Sequence, residues 1–135
     1  MASLNTLITD FMQYNYSIAP SARSLEIIAN AGFKPSEDPA EQFSNLESVE
    51  RRIIGSDQET WAAKVFALAF PYEHVLTLSD EKAIKWAYWL GTAEYNLGRR
   101  AAEQKIKGKL FNKALMHFFD ARQKGDSGKE NASHI

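Results

Sequence analysis

SDEKAIKWAYWLGTAEYNLGRRAAEQKIKGKLFNKALMHFF, residues 79–119, is the stretch on which the fold turns. Its apolar residues stand three and four apart: Ala83, Trp86, Ala87, Leu90, Ala93 and Leu97, then Ile106, Leu110, Ala114 and Phe118. That spacing draws one face of a 3.6-residue helix twice over, whereas the apolar/polar alternation of a strand is scarce. Ser79 can cap the first of these helices and Gly98 punctuates the pair, so the final helix is expected from about Arg99 to Arg122.

The same period runs back to the N-terminus. Ser3 can cap a helix carrying Leu4, Leu7, Ile8, Phe11 and Met12, with its exit at Tyr14 to Pro20. A second helix runs from Ser21 to Ala31 with Leu25, Ile28 and Ala29 inward, and Gly32 suits the left-handed conformation that ends it. Lys34 to Pro39 is a turn into a third helix, whose stripe is Phe43, Leu46, Val49, Glu50, Ile53 and Ile54, closed by Gly55 and Ser56. Asp57 can cap a fourth, which runs through Phe70 until Pro71 stops it. Tyr72 to Leu78 is an irregular joint. The fold class is therefore all-α: a single-domain bundle of five or six helices over residues 1–122. The polar segment KGDSGKENASHI closes the chain, and residues 123–135 are expected to stay disordered.

At 135 residues and 44% hydrophobic content the chain can bury a core. It has no cysteine, which excludes a disulfide framework, a thiol nucleophile and a thiolate zinc site. The N-terminus lacks the charged start and apolar run of a signal peptide. The longest apolar-rich run, Trp61 to Phe70, contains Lys64 and is about half the ~20 residues that a membrane-spanning helix requires. These features point to a soluble protein of a reducing, cytoplasmic compartment.

Charge divides the chain more sharply than hydropathy does. Residues 1–77 hold 5 Lys/Arg against 10 Asp/Glu, and residues 78–135 hold 11 against 7, so an acidic subregion with formal charge −5 precedes a basic one with +4. Arg99, Arg100, Lys105, Lys107, Lys109 and Lys113 face one acid, Glu103. A cationic cluster of this kind points to a polyanionic partner, most often nucleic acid. Lys105, Lys109 and Lys113 recur every four residues and form a ridge about 12 Å long beside the apolar ridge of Ile106, Leu110, Ala114 and Phe118. Arg99 and Arg100 at the expected helix start would add guanidinium forks to free backbone N–H groups. Gln104 and Asn112 are the candidate readers of base edges. A solvated face that only keeps the helix soluble is the competing explanation.

Ser79 to Phe118 resembles the helix-turn-helix region of small phage-type transcription regulators, including late-gene antiterminators and related sigma-region-like domains. Two registers carry the resemblance. In one, Ala87 packs between the helices, Gly91 makes the turn and Leu97 anchors the second helix. In the other, which places the basic ridge on the recognition helix, Ala93 packs, Leu97 and Gly98 turn, and Arg99 and Arg100 start that helix. The resemblance implies a DNA-binding regulator of a bacterial host cell, with a degenerate helix-turn-helix in its C-terminal part.

Among the aromatics, Trp86 shares a face with Leu90 and reads as core, while Tyr88 or Trp89 is the better candidate for an exposed surface. Chemistry has little to stand on. His74 neighbours Glu73 and His117 precedes Asp120 by three residues, yet no third ligand and no nucleophile converges on either pair. Glu41, Glu47 and Glu50 read as a solvated helix face, and no glycine-rich phosphate loop is present. No metal, cofactor or enzymatic activity is expected, an enzyme assembled only by the fold being the weakest option. The acidic helices either buttress the basic ones or dock a protein partner, and pairing of the two ends into a homo-oligomer is open. The alternative function is a helical protein-interaction module, such as a phage-encoded inhibitor of a host protein, that never touches nucleic acid.

Overall fold

The computed structural model describes residues 3–53, 58–69 and 78–133. Six helices account for the regular structure there: α1 Leu4–Tyr16, α2 Ala22–Ala31, α3 Pro39–Ile53, α4 Gln58–Ala69, α5 Asp80–Arg100 and α6 Gln104–Ser133. The expected stops at Gly55, Ser56 and Pro71, the cap at Asp57, and Ile54, Phe70 and His74 lie outside the described residues. So does most of the joint at 72–78.

Short polar side chains start the helices where the sequence places them. The Ser3 hydroxyl accepts from the Thr6 N–H at 3.2 Å, Ser21 from Ser24 at 3.1 Å and Ser79 from Lys82 at 3.4 Å. Each such cap satisfies one orphan donor and contributes about 1 kcal/mol. The Asp38 carboxylate does the same for Glu41 at the head of α3. Gly32 ends α2 in the left-handed region, at φ 75°. Ser17 ends α1 in the same region, φ 57°, a role the exit at Tyr14 to Pro20 left unassigned.

Helix α4 is the centre of the bundle and touches α1, α2, α3 and α5. Ala62, Ala63, Val65, Phe66, Ala67, Leu68 and Ala69 are all buried, so this helix is apolar nearly all round. Its one buried cation, Lys64, pairs with Glu50 of α3 at 3.3 Å and lies 5.5 Å from the Trp61 ring centre. Phe66 meets Phe11 and Phe33 edge-on at 6.0 and 6.5 Å, tying α1 and the α2–α3 loop to α4. Phe43 of α3 stacks on Trp86 and Trp89 of α5 at 5.9 and 5.7 Å. Trp86 is thus core, as its spacing with Leu90 indicates. Ala29, expected inward, is exposed, because α2 turns Ser24, Ile28 and Ala31 to the core.

The α5–α6 pair differs most from the expectation. Helix α5 runs unbroken through Gly91 and Gly98 to Arg100, and α6 starts at Gln104, with Ala101, Ala102 and Glu103 between them. Neither glycine makes a turn. A Cβ on Gly91 would sit 2.8 Å from the Phe118 ring, and one on Gly98 would sit 2.9 Å from Phe111 and 3.2 Å from the Leu110 Cβ. Both glycines therefore let aromatic rings of α6 lie against the α5 backbone, at a propensity cost of about 1 kcal/mol each. The contacts run in opposite order along the two helices, Gly98 with Phe111 and Gly91 with Phe118, which defines an antiparallel hairpin.

Gly98→Val is expected to destabilise the protein by about 2 kcal/mol, because Leu110 is fully buried and its Cβ cannot yield without moving α6. Gly91→Ala should cost less, since the half-buried Phe118 ring can swing aside. Urea midpoints of the two variants check the order.

Helix α6 also continues past Arg122 to Ser133, where the sequence reading expects a disordered tail. Residues 123–133 contain no proline, and two of them are glycines that lower propensity without breaking a helix. Lys124 pairs with Asp120 one turn back, at 3.4 Å.

Candidate nucleic-acid interface

The cations meet at the closed tip of the α5–α6 hairpin. Arg99 and Arg100 are the last two residues of α5 and are exposed. They do not start a helix, so they stand among α5 carbonyl groups, where a positive charge favours the helix dipole, and not among free N–H groups. Arg100 donates to the Asn96 carbonyl at 3.5 Å, and the Arg99 guanidinium lies 5.9 Å from the Tyr95 ring centre.

Across the turn, Gln104, Lys105, Lys109 and Asn112 are exposed on the first turns of α6. Lys113 departs from this set. An i, i+4 row advances about 40° around the axis per step, so the third lysine rotates off the outer face. It becomes half-buried, with its ammonium 5.6 Å from the ring of Tyr16 in α1. Ile106, Leu110 and Ala114 pack inward as their ridge predicts.

The ion pairs of the described residues leave the tip cations unclaimed. Glu50 is taken by Lys64, Glu47 by Lys85 at 3.5 Å and Asp120 by Lys124, while Glu94 pairs with His117. The acidic part thus neutralises cations of α4 and the start of α5, and among the described residues no carboxylate pairs with Arg99, Arg100, Lys105 or Lys109.

Along the rest of the hairpin, away from the tip, several apolar and aromatic side chains are exposed. Tyr88 and Tyr95 of α5 are 59% and 46% exposed, as are Leu115, Met116 and Phe119 of α6 at 64%, 70% and 63%. Trp89 is half-buried under Phe43, so of the pair singled out in the sequence only Tyr88 faces outward.

Between α1, α5 and α6 lies an arrangement that sequence reasoning missed. Glu94 of α5 is completely buried and binds two partners: the Tyr16 hydroxyl donates to its Oε2 at 2.7 Å, and His117 Nδ1 meets its Oε1. The residues lie 78 and 23 positions apart in the chain, and together they bolt α1 and α6 to α5. The network joins three helices through one buried carboxylate. The described residues contain no cluster of three or more side chains arranged to hold a metal ion. A shallow depression of about 170 Å³ among Pro20, Ser21, Ser24 and Glu59 brings in one ionisable group. No described helix is long and apolar enough to cross a membrane.

Compared with known proteins, the chain matches no family model, no curated protein and no solved structure.

Proposed function

We propose that this protein binds nucleic acid through the tip of the α5–α6 hairpin, as a small DNA-binding transcription regulator of phage or prophage type acting in the bacterial cytoplasm, antitermination being the role the sequence resemblance suggests. The observation that carries the reading is the set of four exposed cations, Arg99, Arg100, Lys105 and Lys109, none of them paired with a carboxylate among the described residues. Guanidinium forks grip phosphate oxygens in pairs, and the two ammonium groups act as point charges on neighbouring phosphates. Gln104, at the start of α6, and Asn112, beyond Lys109, are exposed and are the candidates for base edges. Lys113, leaning on Tyr16, contributes long-range charge more than direct contact.

Salt dependence is the test. Four phosphate contacts give a slope of about −3.6 for log affinity against log salt on duplex DNA, so raising salt fourfold lowers affinity about a hundredfold. Anisotropy of a labelled oligonucleotide between 50 and 200 mM salt reads this directly. Absence of binding at 50 mM would remove the reading.

A second reading has its own observation. Leu115, Met116 and Phe119 form an exposed apolar patch on α6, the kind of surface that docks a protein. Met116→Lys with Phe119→Lys is expected to abolish capture of a protein partner and leave the salt-dependent binding of oligonucleotides in place.

A further inference from the structure

Resting on the nucleic-acid reading, we infer that the strand bound is single, with unpaired bases stacking on Tyr88 and Tyr95 while the tip holds the phosphates. Tyr88, Thr92, Tyr95 and Arg99 stand at i, i+4, i+7 and i+11, which is one ridge of α5 leading to the cationic tip. Thr92 is half-buried and its hydroxyl donates to the Tyr88 carbonyl of its own helix at 2.8 Å, which leaves the two rings as the prominent groups of the ridge.

The rings are held in place from beneath. Tyr88 lies against Phe118 and Tyr95 against Phe111, each pair with centroids 5.5 Å apart, and those phenyl rings are themselves seated on the α5 backbone at Gly91 and Gly98. The close approach at the two glycines thus ends in two supported aromatic platforms. Their seven-residue separation is about 10.5 Å along the helix, far enough for each ring to serve a different base.

Charge fits the same ligand. From Lys82 to Phe119 the chain contains two acids, of which Glu94 is buried and Glu103 sits at the turn, so a polyanion laid along this edge meets no other carboxylate of the stretch. In a duplex the base faces are hidden in the stack, and only phosphates and groove edges reach a convex helix pair. An unpaired base offers its π-face, and every base has one, so the contact is strong and tolerant of sequence. Single-stranded DNA and RNA share this chemistry.

The test uses the full chain with three labelled probes, a 20-nucleotide oligo-dT, a 20-nucleotide oligo-U and a 20-base-pair duplex, in low salt. Tyr88→Leu and Tyr95→Leu keep apolar packing on Phe118 and Phe111 but remove the π-face. Each is expected to weaken binding of the single strands about tenfold and the double variant about a hundredfold, with duplex binding unchanged. Tyr88→Phe with Tyr95→Phe retains the rings and should bind as the unaltered protein does. The relative affinity for oligo-dT and oligo-U identifies the sugar preferred. Equal binding of duplex and single strand, or Leu variants that bind single strands normally, would overturn the inference while leaving the phosphate-binding tip intact. If no probe binds at all, the underlying reading falls with it. If the Leu variants change only the sedimentation behaviour of the protein, the face is a protein interface and the inference is wrong.

Discussion

Glu94→Ala is expected to lower stability by about 3 to 4 kcal/mol, which for a chain of this size is a drop of roughly 10 °C or more in Tm. The substitution takes away the acceptor shared by the Tyr16 hydroxyl and His117, at a position with no contact to water. It leaves a cavity where three helices meet, and buried polar groups that lose a partner carry the full cost of having been desolvated. Glu94→Gln keeps the volume and one acceptor oxygen, so its loss should be about 1 to 2 kcal/mol. Urea denaturation of both variants measures the order. A Glu94→Ala protein as stable as the parent would mean that the network does not hold α1 and α6 in place.

The second large effect is on binding. Lys105→Glu combined with Lys109→Glu removes two of four phosphate contacts and puts two negative charges in their place, so affinity at low salt should fall at least a hundredfold. The slope against log salt should fall to about half. Stability should hardly change, because both lysines are exposed and unpaired among the described residues. Lys85→Glu is the informative control. That ammonium lies 4.6 Å from the Trp89 ring centre and pairs with Glu47, so reversing it should disturb the packing of α3 on α5 and leave the tip alone. Binding isotherms and thermal melts of the two variants separate the effects.

Much of the fold is legible in the sequence, because its signals are local. Ser3, Ser21, Gly32 and Ser79 act on backbone groups within four residues of themselves, and the apolar spacing of α1 and α3 needs no knowledge of the partner helix. The glycines of α5 show where local reading stops. Gly91 and Gly98 look like turns in isolation, and their purpose appears only when Phe118 and Phe111 are brought against them. Glu94 is similar: one acid on a helix is ordinarily solvated, and nothing in its surroundings names Tyr16 as its partner. The grouping of Arg99, Arg100, Lys105 and Lys109 was legible as a charge cluster, although Arg99 and Arg100 close one helix and do not open the next. Exposure of Tyr88 over Trp89 depended on where Phe43 of α3 comes to rest, which periodicity within α5 cannot supply.

The most direct test of binding at the hairpin tip is a titration of the isotopically labelled full chain with a 20-nucleotide single strand, followed by amide chemical shifts. Binding at the tip predicts perturbations concentrated at Tyr88, Tyr95, Arg99, Arg100, Gln104, Lys105, Lys109 and Asn112, with α3 silent. Perturbations centred on α3 or confined to Leu115, Met116 and Phe119, with residues 99–109 unmoved, would contradict it.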